Sequence, residues 1–390
     1  THSESAFTGR QTHRFREDAR NQIRAAVGAG PEHAVIFCGS GATGAINRLI
    51  DCLGLRHRAP EAPRPVVILG PFEHHSNELP WRESAVDLRH VPLSAEGTFD
   101  EAALAELLKT LKPGFFASFS AASNVTGVRC DTQRISALVH EAGGRVFWDY
   151  AAAGPYVAID ASDKDAIFLS PHKFLGGPGT PGVLVVRKDL LTGSVPAVPG
   201  GGTVSFVSPD GHRYLEAPER REEGGTPPIV ETVRAGLVFA LKEKVGAARI
   251  EAREERLLAR AEAALGALPE LRLLGPRRGP RLATLSFQIF RGAQPLHYGF
   301  VVALLNDLFG IQVRGGCSCA GPYGHRLLGI DLAHSHAYER QIAAGCEGIK
   351  PGWVRVNFNY FVDDAVADYL IEAVRMVARD GWRGVDRRHV

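Results

Sequence analysis

Short β-branched and aromatic runs alternate with amphipathic stretches over the first two-thirds of the sequence, and this alternation limits the architectures open to it. Residues 33–38, 65–69, 115–120, 145–150, 166–170 and 182–187 read as strands. Most are apolar throughout, as strands covered on both faces are. Between them, residues 100–111 and 131–142 read as helices. Each opens on an aspartate, Asp100 or Asp131, placed to accept a hydrogen bond from the first turn. Strand–helix alternation with buried strands predicts an α/β fold with a mostly parallel sheet covered on both faces.

Residues 193–228 are rich in Gly, Pro, Ser and Val and are expected to be irregular. Helical material is expected over 232–265, with a domain boundary near Val245. The division is a large domain, 1–245, and a smaller α/β domain, 246–390, with strands at 283–290 and 353–358 and a closing helix at 363–379. A chain of 390 residues can bury two cores of this size. The net charge of +2 gives no reason to expect nucleic acid or an anionic membrane as partner. No run of 18 apolar residues is present to span a bilayer. Six scattered cysteines do not make a disulfide framework. No secretory signal is visible, and the expected location is the cytoplasm. The sequence opens at Thr1, and its single methionine is Met376.

Three segments carry chemistry. Gly39-Ser40-Gly41-Ala42-Thr43-Gly44 joins a strand to a helix, where backbone N–H groups can face a phosphate. A purely structural turn would read the same way. Lys173 follows a strand and precedes Gly176 and Gly177, at the strand end where open α/β sheets bind ligands. A lysine amine can condense with a carbonyl cofactor, although an ordinary surface lysine is the commoner case. Asp149 ends an apolar strand, where a carboxylate needs a cationic partner or serves as a cap.

Taken in order, these segments resemble the class V aminotransferase-fold enzymes, in particular the cysteine desulfurase/selenocysteine lyase branch, from the first residues to about Phe361. The resemblance implies a pyridoxal-phosphate (PLP) transferase fold of type I, with PLP as a Schiff base on Lys173 in Ser170-Pro171-His172-Lys173. It implies that Ala42 and Thr43 belong to the phosphate turn and that His74, in Glu73-His74-His75-Ser76-Asn77, stacks on the ring. Asn124 is implied near the phenolic oxygen and Asp149 at the pyridinium nitrogen, with Ser170 and His172 beside the cofactor. Thr226, in Glu223-Gly224-Gly225-Thr226-Pro227, matches a residue supplied across a homodimer to the neighbour's phosphate. Arg355 matches the clamp on the substrate carboxylate, a task suited to a guanidinium, and Asn124 and His2 join it at the substrate.

Cys319, in Arg314-Gly315-Gly316-Cys317-Ser318-Cys319, matches the desulfurase nucleophile, whose thiolate takes sulfur from PLP-bound cysteine and releases alanine. Arg314 and the glycines suit a thiolate there. A cysteine-like amino-acid substrate and a sulfur-acceptor protein are the implied partners. The sequence departs from the family at Ala152, where desulfurases carry glutamine, and at Cys317, a second thiol. The sequence given opens at the His2 region, without the N-terminal stretch expected before it from the resemblance, and residues 321–352 lengthen the interval between Cys319 and Arg355. His325, His334, His336 and Cys346 lie in that interval at spacings that fit no standard zinc site, and no metal is expected. The leading expectation is a C–S or C–Se lyase. The alternatives are a PLP-dependent aminotransferase, epimerase or β-eliminating lyase without a catalytic cysteine, and a catalytically silent scaffold.

Overall fold

The computed structural model describes residues 5–57, 59 and 61–383, so His2 lies outside the described residues. The chain divides into two compact units. The first comprises residues up to 92, 99–121 and 130–248; the second comprises 93–98, 122–129 and 249 onward.

The first unit is built on a seven-stranded sheet: β1 (His33–Cys38), β2 (Val66–Leu69), β3 (Asp87–His90), β4 (Phe116–Ser120), β5 (Arg145–Asp149), β6 (Ala166–Leu169) and β7 (Gly182–Arg187). Their spatial order is β1-β7-β6-β5-β4-β2-β3. Strands β3, β2, β4, β5 and β6 are parallel neighbours. β7 runs antiparallel to both β6 and β1, so the predominantly parallel sheet has one reversed strand. Every residue of β1 and β6 is buried, as strands packed on both faces require.

Helices α1 (Phe7–Ala26), α2 (Gly41–Cys52), α3 (His75–Arg82), α4 (Glu101–Leu108) and α5 (Thr132–Glu141) belong to this unit. Asp100 and Asp131 cap α4 and α5 by accepting from the N–H groups of Ala103 and Arg134. On one face of the sheet, Ile46, Leu49 and Ile50 of α2 pack with Ile36, Phe147, Phe168 and Leu184. The expected irregular stretch 193–228 holds more order than its composition indicates. A hairpin pairs Val204–Val207 with His212–Tyr214, and Pro218–Arg221 forms a helical turn. The helical material after it is two helices, Ile229–Val245 and Ala247–Leu265. They break at Gly246, whose φ of 91° only glycine adopts readily.

The second unit carries an antiparallel sheet in the order Leu271–Leu273, Thr284–Arg291, Trp353–Asn357 and Arg314–Gly316. Its core is Leu257, Ala261, Phe287, Leu305, Val356, Ile371 and their neighbours. Residues 321–352 form helices Gly321–Leu328 and Leu332–Ala343 and a 3-10 turn at Glu347–Ile349. No helix among the described residues is long and apolar enough to cross a membrane.

Candidate active site

In the first unit the candidate cofactor residues collect at the carboxyl ends of parallel strands, where α/β sheets place their ligands. β6 ends at Leu169 and passes into a 3-10 turn, Pro171–Lys173, which puts Lys173 on the exposed side. β5 ends at Asp149, which is 4% exposed and accepts a 2.8 Å hydrogen bond from the Ala151 N–H. Burial raises its carboxyl above the ordinary range, while that N–H and the charge of Lys173 pull it down. A carboxylate so enclosed suits a cationic partner.

The candidate phosphate turn rests on Gly41, the first residue of α2, with φ at 57°. A side chain there would meet His172 Cε1 at 2.5 Å and Ser170 Oγ at 2.8 Å, so only glycine brings the two turns together. Ser170 Oγ accepts a 2.9 Å hydrogen bond from the Ala42 N–H, and Thr43 shares a 2.6 Å hydroxyl contact with Ser76. A cavity of about 500 Å³ opens beside Gly39, Ser40, His172 and Thr226. A helix N-terminus, a lysine at a strand end and a buried carboxylate are the groups that a phosphorylated pyridine aldehyde requires, the carboxylate as acceptor for the ring N–H, so these residues fit PLP.

His74 caps α3, its Nδ1 accepting a 3.0 Å hydrogen bond from the Ser76 N–H. That bond sets the ring's orientation at the start of the helix. Burial lowers the pKa of His172, and the neighbouring Lys173 charge adds to the shift.

Two supports were not anticipated. Glu73 lies fully inside and accepts from Ser120 N at 3.0 Å, Ser120 Oγ at 2.7 Å and Asn77 Nδ2 at 2.6 Å. Desolvation pushes its carboxyl up to about 7 despite those donors. Its place directly before His74 was the available sequence signal. Glu223 accepts from the Phe37 N–H at 2.7 Å and from Arg20 at 2.8 Å, and it pairs with Arg16. The segment leading to Thr226 is thereby tied to α1. Arg16 and Arg20, one helical turn apart, were the visible sign of that anchor.

The second unit holds the candidate substrate and thiol residues. Arg314 and Arg355 face each other across paired strands. Arg355 donates from Nη1 to the Asn124 carbonyl at 2.8 Å, and Asn124 donates from Nδ2 to the Ser318 carbonyl at 2.7 Å. Asn124 Oδ1 is buried without a hydrogen-bond partner among the described residues, leaving an acceptor for a ligand. Ser318 and Cys319 have φ of 52° and 56°, the only non-glycine residues in the left-handed region among those described. Each costs about 1–2 kcal/mol, so the surrounding contacts hold this turn in place. Arg314 Nη2 donates to Cys319 Sγ at 3.1 Å. His325 is occupied in joining two helices, bonding Gly321 O at 2.8 Å and Ser335 Oγ at 2.9 Å. His334 pairs with Asp331, and His336 lies against Glu339. Among the described residues no three His, Cys, Asp or Glu side chains form a metal-sized group.

The profile of the class-V aminotransferase family, described as "Aminotransferase class-V", matches residues 1–361. The chain belongs to that family. It is 29% identical over 371 residues to the probable cysteine desulfurase 1 of Mycobacterium leprae, covering 94% of this chain and 55% of that protein. It is 33% identical over 318 residues to the cysteine desulfurase of Synechococcus elongatus, covering 80% of this chain and 48% of that one. The chain therefore spans about half the length of these two relatives. The apo cysteine desulfurase of Thermococcus onnurineus superimposes with a TM-score of 0.81 at 25% identity, covering 97% of this chain and 87% of that structure. The fold is the PLP-dependent transferase fold of type I, as the sequence resemblance implied.

Proposed function

We propose that this chain is a PLP-dependent cysteine desulfurase, acting on cysteine or a cysteine-like amino acid. The observation that carries the reading is Cys319, held in a strained turn with the Arg314 guanidinium 3.1 Å from its sulfur. A thiol placed beside a cation is suited to nucleophilic work. When bound, PLP supplies a carbonyl that takes up the substrate amine and a ring that withdraws electrons from its Cα.

The chain's own residues supply the rest. Lys173 Nζ holds the cofactor and moves the proton at the substrate Cα. Asp149, kept dry, would hold a proton on the ring nitrogen, and His74 would cover a ring face. Ala42, Thr43, Ser170 and His172 would hold the phosphate, and Thr226 would reach the neighbouring subunit's phosphate. Arg355 binds the substrate carboxylate with Asn124. Cys319 Sγ then attacks the substrate sulfur: an S–S bond forms on Cys319, the C–S bond breaks with its electron pair passing to the substrate carbon, and that carbon takes up a proton so that the carbon skeleton leaves as alanine. These roles sit on two domains, 1–245 and 246–390, in a homodimer located in the cytoplasm, with a sulfur-acceptor protein downstream.

The test is turnover of cysteine by the PLP-loaded protein, followed as alanine and as persulfide by mass spectrometry. Cys319→Ala is expected to abolish both and to keep the visible absorbance of bound PLP. Lys173→Ala is expected to lose that absorbance. Wild-type turnover in Cys319→Ala would exclude the desulfurase reading and leave a PLP enzyme that needs no thiol.

A further inference from the structure

The second thiol of the Cys317-Ser318-Cys319 segment has no part in the chemistry above, and its position gives it one. Ala320 N–H donates to the Cys317 carbonyl at 3.2 Å, closing a tight turn. Ser318 and Cys319 occupy the two central, left-handed positions of that turn. Consecutive Cα atoms lie about 3.8 Å apart, so Cys317 and Cys319, two residues apart, stay within about 7 Å of one another. The turn shortens that span, and cysteine side chains meet when their Cα atoms are about 4.4–6.8 Å apart. The two thiols differ in environment: Cys317 is exposed, Cys319 is half-buried against Arg314, and Ser318 between them is buried. The turn thus has an inner thiol beside a cation and an outer thiol facing solvent.

We propose that Cys317 is a relay, taking the sulfane sulfur from Cys319 and presenting it to the acceptor. This rests on the reading of Cys319 as the first site of sulfur capture. In the transfer, the Cys317 thiolate attacks the outer sulfur of the Cys319 persulfide. The S–S bond to Cys319 breaks and its electron pair returns to Cys319 Sγ, while an equivalent S–S bond forms on Cys317. One persulfide and one thiolate become one thiolate and one persulfide, so no oxidant or reductant is consumed. The Arg314 Nη2–H, 3.1 Å from Cys319 Sγ, meets the negative charge that returns there. Neighbouring attack within one turn has the advantage of an intramolecular reaction over capture from solution. Transfer outward leaves Cys319 ready for another substrate while the sulfur waits where a partner protein's thiol can reach it.

The experiment uses the PLP-loaded protein, pulsed with cysteine, quenched with iodoacetamide at successive times and digested with trypsin. Cleavage after Arg314 and Arg326 puts both cysteines on one peptide, residues 315–326, and fragmentation across Ser318 assigns the extra sulfur to one or the other. The expected course is label first on Cys319 and later on Cys317. In Cys317→Ser it stays on Cys319, and in Cys319→Ser it appears on neither. Label confined to Cys319 in the wild type overturns the relay and leaves the desulfurase reading standing. Label on Cys317 in Cys319→Ser makes Cys317 the primary nucleophile and also overturns it. A Cys317–Cys319 disulfide with free sulfide, in place of the second persulfide, rejects it as well. No label on either cysteine of the wild type sinks both the relay and the reading beneath it.

Discussion

At the scale of single residues, the candidate site depends on carboxyl groups kept away from water. Asp149 has a ready counter-charge in the ring nitrogen it is proposed to meet. Glu73 has neutral donors only, and burial outweighs them, so its carboxyl titrates at about 7 against an ordinary 4.5. A carboxyl whose pKa is raised by folding holds its proton longer in the folded state than in the unfolded chain. Its contribution to stability is full below the unfolded pKa and is lost as pH rises toward the folded one. Between pH 4.5 and about 7 this one group should therefore make the protein progressively less stable, by up to about 3 kcal/mol. Glu73→Gln imitates the protonated form and should flatten that part of the stability curve. Urea midpoints for both proteins across that range are the measurement, and parallel curves would assign the pH dependence to other groups. The identity of Glu73 was visible in the sequence as part of a motif. Its enclosure by Ser120 and Asn77 was not, because those contacts join residues 47 and 4 positions away through the fold.

At the scale of elements, local signals were legible where the chain's own neighbours decide the structure. The capping aspartates are the clearest case: a short carboxylate ahead of an amphipathic stretch has an immediate use for the free N–H groups of the first turn. Asp131→Ala should cost about 1 kcal/mol by thermal or urea denaturation, with Asp131→Asn retaining most of that, since Asn also accepts from the turn. A loss equal in both variants would assign the effect to the negative charge. The buried strands were legible for a related reason, since apolar runs bounded by turn residues have few other uses. The direction of β7 was not. Its sequence, GVLVVR, is as apolar as the parallel strands of the sheet, and nothing in a buried strand's side chains records which way it runs. The hairpin of Val204–Val207 and His212–Tyr214 was hidden by composition, because its strand residues are largely exposed and carry no alternating pattern. In the site, the strand-end positions of Lys173 and Asp149 were legible from their own neighbours, and the family resemblance picked out Cys319. The Arg314–Cys319 contact and the left-handed turn required coordinates.

At the scale of the whole molecule, the proposed homodimer is the remaining expectation with a physical footprint. Helix Ile229–Val245 leaves Val230 71% exposed, Leu237 63% and Leu241 39%. These positions are separated by seven and four residues, so they share one helical face. Phe206 and Val207 of the hairpin are also largely exposed. Apolar side chains exposed along one helical face mark a surface that a partner can cover. Thr226, three residues before this helix, is the residue whose resemblance implies a role across a two-fold axis. If that face is the interface, Leu237→Asp buries an unpaired charge in the assembled state and should shift sedimentation from dimer toward monomer. The monomer should also bind PLP more weakly, because one group facing each phosphate would come from the partner. Sedimentation equilibrium combined with a PLP titration reads both effects. A variant that stays dimeric places the interface on another face of the molecule. A monomer that binds PLP as the wild type does keeps the interface but removes Thr226 from the neighbour's phosphate.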